Sequence, residues 1–471
     1  MAPLLRNATC RFAVLRALAV MSHNGGKEAR IQIAKEVSGP VLDLVDEKFD
    51  DPFIVSLCIV TLSHSLATTL DSNHVRLQPD SKLAYPWARI TKTMLDVVTS
   101  PHVTNDAFGH VVHFMTNGAT ALRDFFLADV RAPQFFVSLL RADNMQLRID
   151  GLTGLMRLAI HGATRMMNKH IDPHKIMKVQ WPLHITDAFW DYGIARCDIP
   201  QKLSCLAEYQ DAMMRAAQDI DLVELGRKQY ELIYRHELSI ANGAFVDENQ
   251  QRIQTRLPFA MWSDSLPHCA KALRALGPAK TFAFGNMKVA AVDMADVLML
   301  KHCLITSQYA EAHRTAVAGI ARNPDELYFY YASGIGHEEQ ENKLQLSRKG
   351  LARVKAGVKI PSTKGGLMNI EDNYIRLGLL ANSIDHALFM GLEAAEMASD
   401  PGKSWQRSVA LLKIAYNDSM IWAKNAPPDN RNFNRIYLEH IICRFLWDGP
   451  TISGDMHQIQ VSTSLLDWRV F

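Results

Sequence analysis

The chain has 471 residues, 48% of them apolar and 21% charged. A single core stops growing at roughly 250–300 residues, so two domains or one elongated array of repeats is expected. Lys and Arg total 51 against 49 Asp and Glu, a net charge of +2, and basic residues form no stripe. That argues against a nucleic-acid partner, because binders of polyanions carry a basic face.

Residues 1–27 hold Arg6, Arg11, Arg16 and Lys27, with no acid before Glu28, which resembles a mitochondrial presequence. Phe12, Leu15 and Ala19 also fit the inner face of an ordinary first helix. That is the preferred reading, with cytosol or nucleus as the expected compartment and the mitochondrion second. Residues 52–70 contain no Asp, Glu, Lys or Arg. A bilayer span needs about 20 apolar residues. Here Ser56, Thr61, Ser63, His64, Ser65, Thr68 and Thr69 make the stretch too polar, so a helix buried between helical neighbours is predicted, and no membrane partner.

Farther along, a short apolar helix (Phe136 to Leu140) meets a polar turn at Ala142-Asp143-Asn144. A second helix follows, with Leu152, Leu155, Met156 and Ala159 on one face. Gly151 and Gly154 would let it press against its neighbour. Such helix–turn–helix units read as armadillo or HEAT repeats, and weaker ones can be drawn at 41–70 and 92–128. Periodicity fades over 161–185, where Pro173 and Pro182 fall, and the domain join is placed there. The two domains are thus 1–185 and 186–471.

Residues 203–245 predict a long helical pair, and 246–260, 276–290 and 356–370 predict loops. The clearest repeat spans 293–324. A first helix runs through Met299, Leu300 and Cys303, with a turn at Ser307-Gln308. A second helix follows through Tyr309, Ala312, Ala316 and Gly319 to a stop at Pro324. The second helix matches the tetratricopeptide pattern. The first departs from it, with Asp296 where Trp is usual and Leu300 where a small residue is. Further helix pairs are expected around Tyr330 to Lys355, over 371–396, and over 403–425 with 430–447. Strand alternation is nearly absent, so no sheet exists on which to build a nucleotide fold. The expected fold is all-α: an α-solenoid, armadillo/HEAT-like in its first half and tetratricopeptide-like in its second.

Motifs with chemical content each break at a required position. His110 and His113 lie one helical turn apart and His102 lies near, but a metal needs three or four oriented ligands and no further one is apparent. Helix histidines are the plainer reading. His170 and His174 are split by Pro173. His337-Glu338-Glu339 has Glu341 where a zinc-protease helix needs His. Gly402-Lys403-Ser404 lacks a glycine at Met397 and a preceding strand, so Ser404 reads as a helix cap. Gly334-x-Gly336 lacks its third glycine. Arg348, Lys349, Arg353 and Lys355 read as a solvated helix face. The seven cysteines are scattered without a Cys-x-x-Cys pair, so buried free thiols are expected rather than disulfides. Cys269 beside His268 is poorly placed for a thiol nucleophile, since adjacent helical residues point about 100° apart. Met156, Met213 and Met299 read as core fillers. No cofactor is expected.

The segments LPFAMWSDSLPHCAKAL (257–273), VLMLKHCLITSQYAEAHRTAVAGIARNPDELYFYYASGIG (297–336) and NAPPDNRNFNRIYLEHI (425–441) resemble a family of large basidiomycete fungal proteins with armadillo-like and tetratricopeptide-like helices. The resemblance covers roughly residues 200–471, and family members commonly carry a MYND-type zinc finger near the C-terminus. Such a finger needs paired Cys-x-x-Cys ligands, because zinc takes four soft ligands in a tetrahedron. Here Cys443 is the only cysteine after Cys303. Either this member has lost the finger or the sequence stops short of it, at the apolar end Leu465 to Phe471.

The function expected from these readings is a non-catalytic scaffold of helical repeats that grips a protein or peptide partner in a concave groove. On the tetratricopeptide frame Lys301, Leu304, Tyr328 and Tyr331 would line that groove. Tyr309, Ala312, Ala316, Gly319 and Pro324 would pack the repeat. The alternative is a zinc-finger regulator of which this chain is the docking part, and an enzyme is the third reading.

Overall fold

The sequence periodicity near 3.6 residues is realised as twenty α-helices among the described residues, with one two-stranded sheet. The computed structural model describes residues 2–70, 85–159, 183–246, 249, 251–284, 287–335, 340–358, 373–396 and 401–452. The chain divides into two compact units. The first takes Met1–Lys169 with Arg444–Leu465, and the second takes His170–Cys443 with Leu466–Phe471. The join anticipated at 161–185 lies almost wholly outside the described residues.

The first unit contains α1 (Ala2–Leu5), α2 (Arg11–Asn24), α3 (Lys27–Glu47), α4 (Pro52–Ala67), α5 (Trp87–Val98), α6 (Asn105–Gly118), α7 (Arg123–Ala128), α8 (Arg131–Leu139) and α9 (Met145–Ala159). The uncharged helix α4 starts sharply because Asp51 accepts from the Phe53 and Ile54 amides and Pro52 fills a position that needs no donor. It packs on α2, α3 and α6, which bury Val55, Cys58, Ile59, Leu62 and Leu66. Its Ser and Thr hydroxyls turn inward onto backbone: Thr61 donates to Leu57 O and Ser65 to Thr61 O. Its polar residues are therefore compatible with burial, and among the described residues no helix is long and apolar enough to cross a membrane. In α2, Leu15 and Ala19 are core, but Phe12 is half exposed.

The α8–α9 crossing depends on glycine. A Cβ at Gly151 would lie 2.7 Å from Phe136 O, and one at Gly154 would enter the Phe136 ring. The face of α9 turned to α8 therefore runs through Gly151, Gly154 and Leu158, so Met156 and Ala159 of the anticipated stripe point outward. Arg148, buried at the start of α9, donates to the carbonyls of Ala142, Asp143 and Leu446. It fixes both the α8–α9 turn and the returning chain.

The second unit contains α10 (Leu183–Tyr192), α11 (Asp198–Asp219), α12 (Leu222–Arg235), α13 (Ser265–Ala275), α14 (Ala291–Ile305), α15 (Tyr309–Arg322), α16 (Leu327–Ser333), α17 (Gln340–Lys355), α18 (Tyr374–Glu396), α19 (Pro401–Asn425) and α20 (Phe433–Asp448), whose last turn belongs to the first unit. From α11 to α19, most consecutive helices pack on one another. Residues 276–290, anticipated as a loop, include strands β1 (Thr281–Phe284) and β2 (Met287–Ala290), paired antiparallel with Thr281 opposite Ala290. The four-residue strands are too short for alternation to show in sequence. They form because Phe284 and Val289 bury on one face, Phe284 stacking obliquely on Tyr230 with centroids 5.2 Å apart. The pair anticipated over 371–396 is one uninterrupted helix. Gly378 and Gly391 do not break it; they admit the Tyr331 ring and the Leu412 side chain.

Replacing Gly154 by Ala should lower stability by about 1–2 kcal/mol, because overpacking outweighs the gain in helix propensity. The same change at Gly109 in α6, where a new methyl meets nothing within 4 Å, should raise stability by about 0.5–1 kcal/mol. Urea midpoints of the two variants would move in the same direction if the Phe136 contact did not matter.

Candidate functional site

The residues anticipated to line a groove do not line one. Lys301, Tyr328 and Tyr331 are only 7%, 1% and 5% exposed, and Leu304 is half-buried. For Lys301 and Tyr331 the reason is Glu237, which follows α12. Its main-chain carbonyl accepts from Lys301 Nζ. Its carboxylate accepts from Tyr331 Oη at 2.5 Å and from Arg431. Around this knot Tyr374 meets Tyr331 edge to face at 5.7 Å, and its hydroxyl donates to Ile233 O. Asn373 donates to Tyr234 O at 3.1 Å while accepting from the Ile375 amide at the start of α18. Burial pulls the Lys301 ammonium down to about 8. Burial, with Lys301 close by, pulls His236 down to about 3. The aromatic frame thus turns inward and ties α12, α14, α16 and α18 together. Sequence spacing located Lys301 and the tyrosines but not Glu237, Asn373, Tyr374 or Arg431, which lie in other anticipated helix pairs, outside the 293–324 repeat and the unit that follows it.

The repeat-packing residues divide. Ala312, Ala316 and Gly319 are buried on α15, and a Cβ at Gly319 would stand 2.7 Å from the Phe329 ring of α16. Tyr309 is 44% exposed and packs no core. Pro324 is also exposed, just beyond the end of α15. Asp296, the departure from the tetratricopeptide frame, is an ion-pair hub. It accepts from Arg274 of α13 at 2.5 Å and Arg322 of α15 at 2.7 Å, while Asp293 takes Arg322 Nε and Asn323. Arg348, anticipated on a solvated face, pairs with the buried Asp418 of α19 at 2.7 Å, which also takes Ser383 of α18. Ser404 lies inside α19 and donates to Ala394 O rather than capping the helix.

Open concavity lies elsewhere. A cleft of about 480 Å³ runs between α11 and α12. Glu208, Asp211, Asp219, Asp221, Glu224 and Glu231 line it, opposed by Arg215, Arg227 and Lys228. Its floor is neutralised: Lys228 bridges Glu208 at 2.6 Å and Glu231 at 3.1 Å, Arg235 holds Glu208, and Arg227 holds Glu224. The Lys228 and Arg235 contacts hold the Glu208 carboxyl down to about 2. Asp221 caps α12 through the Val223 and Glu224 amides. Asp211 and Asp219 make no ion pair among the described residues and leave the rim acidic. The acidic and basic residues at three- and four-residue steps over 208–231 were visible in sequence and went unread.

Among the described residues, no group of three or more His, Cys, Asp or Glu is arranged to hold a metal. His113 contacts Asn117, and His102 sits in the turn before α6. His170, His174 and the stretches at 336–339 and 465–471 lie outside the described residues. Cys269 is buried, and His268 packs instead on Phe259 at 5.8 Å. Burial pushes the Cys58, Cys197, Cys269 and Cys443 thiols up to about 12 and Cys205 to about 11. No family model matches the chain, and no curated protein or solved structure matches it either.

Two predictions test this picture. Among seven cysteines only Cys10 is not buried, so an Ellman titration of the native chain should report one prompt thiol, and seven in guanidinium; several prompt thiols would contradict the burial pattern. Glu326 at the start of α16 accepts from Tyr230 at 2.9 Å, and burial pushes its carboxyl from 4.5 up to about 7. Between those values the folded chain binds the proton that the unfolded chain has lost, so stability falls as pH rises from 4.5 to 7. Glu326→Gln removes that slope. Its stability relative to the parent should climb by about 2–3 kcal/mol across this window and then level. Parallel stability curves would show that the carboxyl is not held protonated.

Proposed function

We propose that this chain is a non-catalytic scaffold of stacked helices, an α-solenoid, that binds a protein partner in the cleft between α11 and α12. The observation that carries the reading is the cleft itself, about 480 Å³ with six carboxylates against three cations. Two of those cations, Arg227 and Lys228, are already committed to ion pairs on its floor. What remains at the rim is negative, so the partner segment is one that presents Lys or Arg side chains. Packing of consecutive helices along the second unit supports the repeat architecture, because repeats bury their apolar faces only on neighbours. The high thiol values support the non-catalytic reading, since nucleophilic cysteines are held low.

The test is to pan a 12-residue peptide library rich in Lys, Arg and Leu against the full chain, and to measure the affinity of the enriched peptides. Asp211→Lys with Asp219→Lys should weaken them at least roughly tenfold. Asp50→Lys with Asp124→Lys on the first unit should leave them unchanged. Absence of any enriched basic peptide, or binding indifferent to the cleft pair, would end this proposal.

A further inference from the structure

Three imidazoles from three helices of the first unit touch in series. His23 Nδ1 of α2 lies 3.1 Å from His64 Nε2 of α4, and the same His64 nitrogen lies 3.2 Å from His110 Nε2 of α6. The rings meet edge to face, with centroids 4.7 and 5.0 Å apart. Proton placement follows from one further contact. His110 Nδ1 is 2.8 Å from the Asp106 carbonyl, which only accepts, so that nitrogen carries hydrogen. In neutral His110 the Nε2 atom is then a lone pair, and His64 Nε2 must supply the hydrogen between them. That same N–H faces His23 Nδ1, which must also offer a lone pair. A single hydrogen on His64 Nε2 is thus shared between two acceptors, and the row is self-consistent when all three rings are neutral.

Protonating His23 or His110 sets a second N–H against the one on His64 unless His64 moves its hydrogen to Nδ1, and in either arrangement the row gains positive charge. Apart from one carboxylate, the surroundings add to that charge. Arg30 of α3 adds positive charge beside His23, whose carbonyl it reaches at 2.6 Å. On α6, His113 lies one turn from His110, with Arg157 of α9 reaching the same helix at Thr116 O and Asn117. Asp106, 3.4 Å from His110 Nδ1, is the one carboxylate that touches the row among the described residues. Burial and the two flanking imidazoles hold His64 itself down to about 4.

The helices differ in what else holds them. α6 keeps two other polar ties to α4: Ser63 donates to His110 O at 3.2 Å, and Ser56 donates to Asp106 at 3.0 Å. Between α2 and α4 the His23–His64 contact is the only polar side-chain tie among the described residues, beside apolar packing through Leu15 and Leu18; toward α3, Arg30 donates to His23 O and Arg11 lies 3.7 Å from Glu47. It ends at Gly25-Gly26, where both residues are extended.

We propose that the His23–His64–His110 row is an acid-sensitive latch: neutral, it holds α2 over the uncharged helix α4, and protonated, it lets α2 lift and bare that apolar flank. Acid release of a buried apolar helix would give the chain a second interaction state, present only below neutral pH.

Hydrogen–deuterium exchange of the full chain at pH 7.5 and 5.5, corrected for intrinsic rate, tests it. Amides of residues 11–24 should exchange at least tenfold faster at pH 5.5, while those of α3 and α5 stay protected. His23→Gln replaces the imidazole on α2 by an uncharged amide and should abolish most of that pH dependence. His23→Ala removes the tie and should leave α2 fast at both values. The proposal is overturned if α2 is equally protected at both pH values, if His23→Gln retains the full pH response, or if α3 and α5 open together with α2.

Discussion

Glu237 takes three donors from three parts of the second unit, and much of that unit's interior is arranged around it. A carboxylate brought into a low-dielectric interior costs several kcal/mol unless its lone pairs are occupied. Here Tyr331 and Arg431 occupy the carboxylate while Lys301 takes the carbonyl of the same residue. Once those donors are committed, Tyr331 has no freedom to face solvent, and its ring packs with Tyr328 and Tyr374 between α16, α18 and α12. The same solution recurs along the chain. Asp296 gathers arginines from the helices before and after its own, and Asp418 gathers Arg348 and Ser383 from α17 and α18. Each carboxylate meets donors from neighbouring helices, so the ion pairs set which helix lies beside which. The apolar area supplies most of the stabilising free energy.

This arrangement explains what could be read from the sequence and what could not. Helix content, the burial of α4, the glycine-dependent α8–α9 crossing and the small-residue face of α15 all follow from apolar spacing and side-chain size. Those signals are local, and a single chain displays them. The groove reading failed for a different reason. Spacing on α14 and α16 fixes which residues share a face, but not whether that face is open. Its closure is decided by Glu237 and by Tyr374, 64 and 73 residues away from Lys301. A Lys with tyrosines at helical spacing looks the same in sequence whether it awaits a ligand or is tied to a half-buried glutamate. The β1–β2 hairpin was missed because four-residue strands carry no measurable period. The helix over 374–396 was divided although its two glycines mark close approach by a neighbour and not a turn.

Two kinds of polar group are buried in this chain, and they respond differently to protons. In the second unit Asp296 and Asp418 meet Arg donors, which keep their hydrogens throughout the physiological range, while the buried Glu326 carboxyl is pushed up to about 7. In the first unit the row from α2 to α6 is made of imidazoles alone, the one side chain whose ordinary charge change falls between pH 5 and 8. An interaction built only from such groups has one proton arrangement when neutral, and each added proton places positive charge among neighbouring imidazoles. The α2–α4 crossing is also where the sequence places a helix without Asp, Glu, Lys or Arg beneath α2, joined to it by one polar side-chain contact among the described residues. The imidazole contact and the uncharged helix therefore coincide. If stability alone governed that crossing, Gln at position 23 would serve as well as His, since its amide can accept from His64 Nε2 without ever becoming charged. What histidine adds at that position is sensitivity to protons.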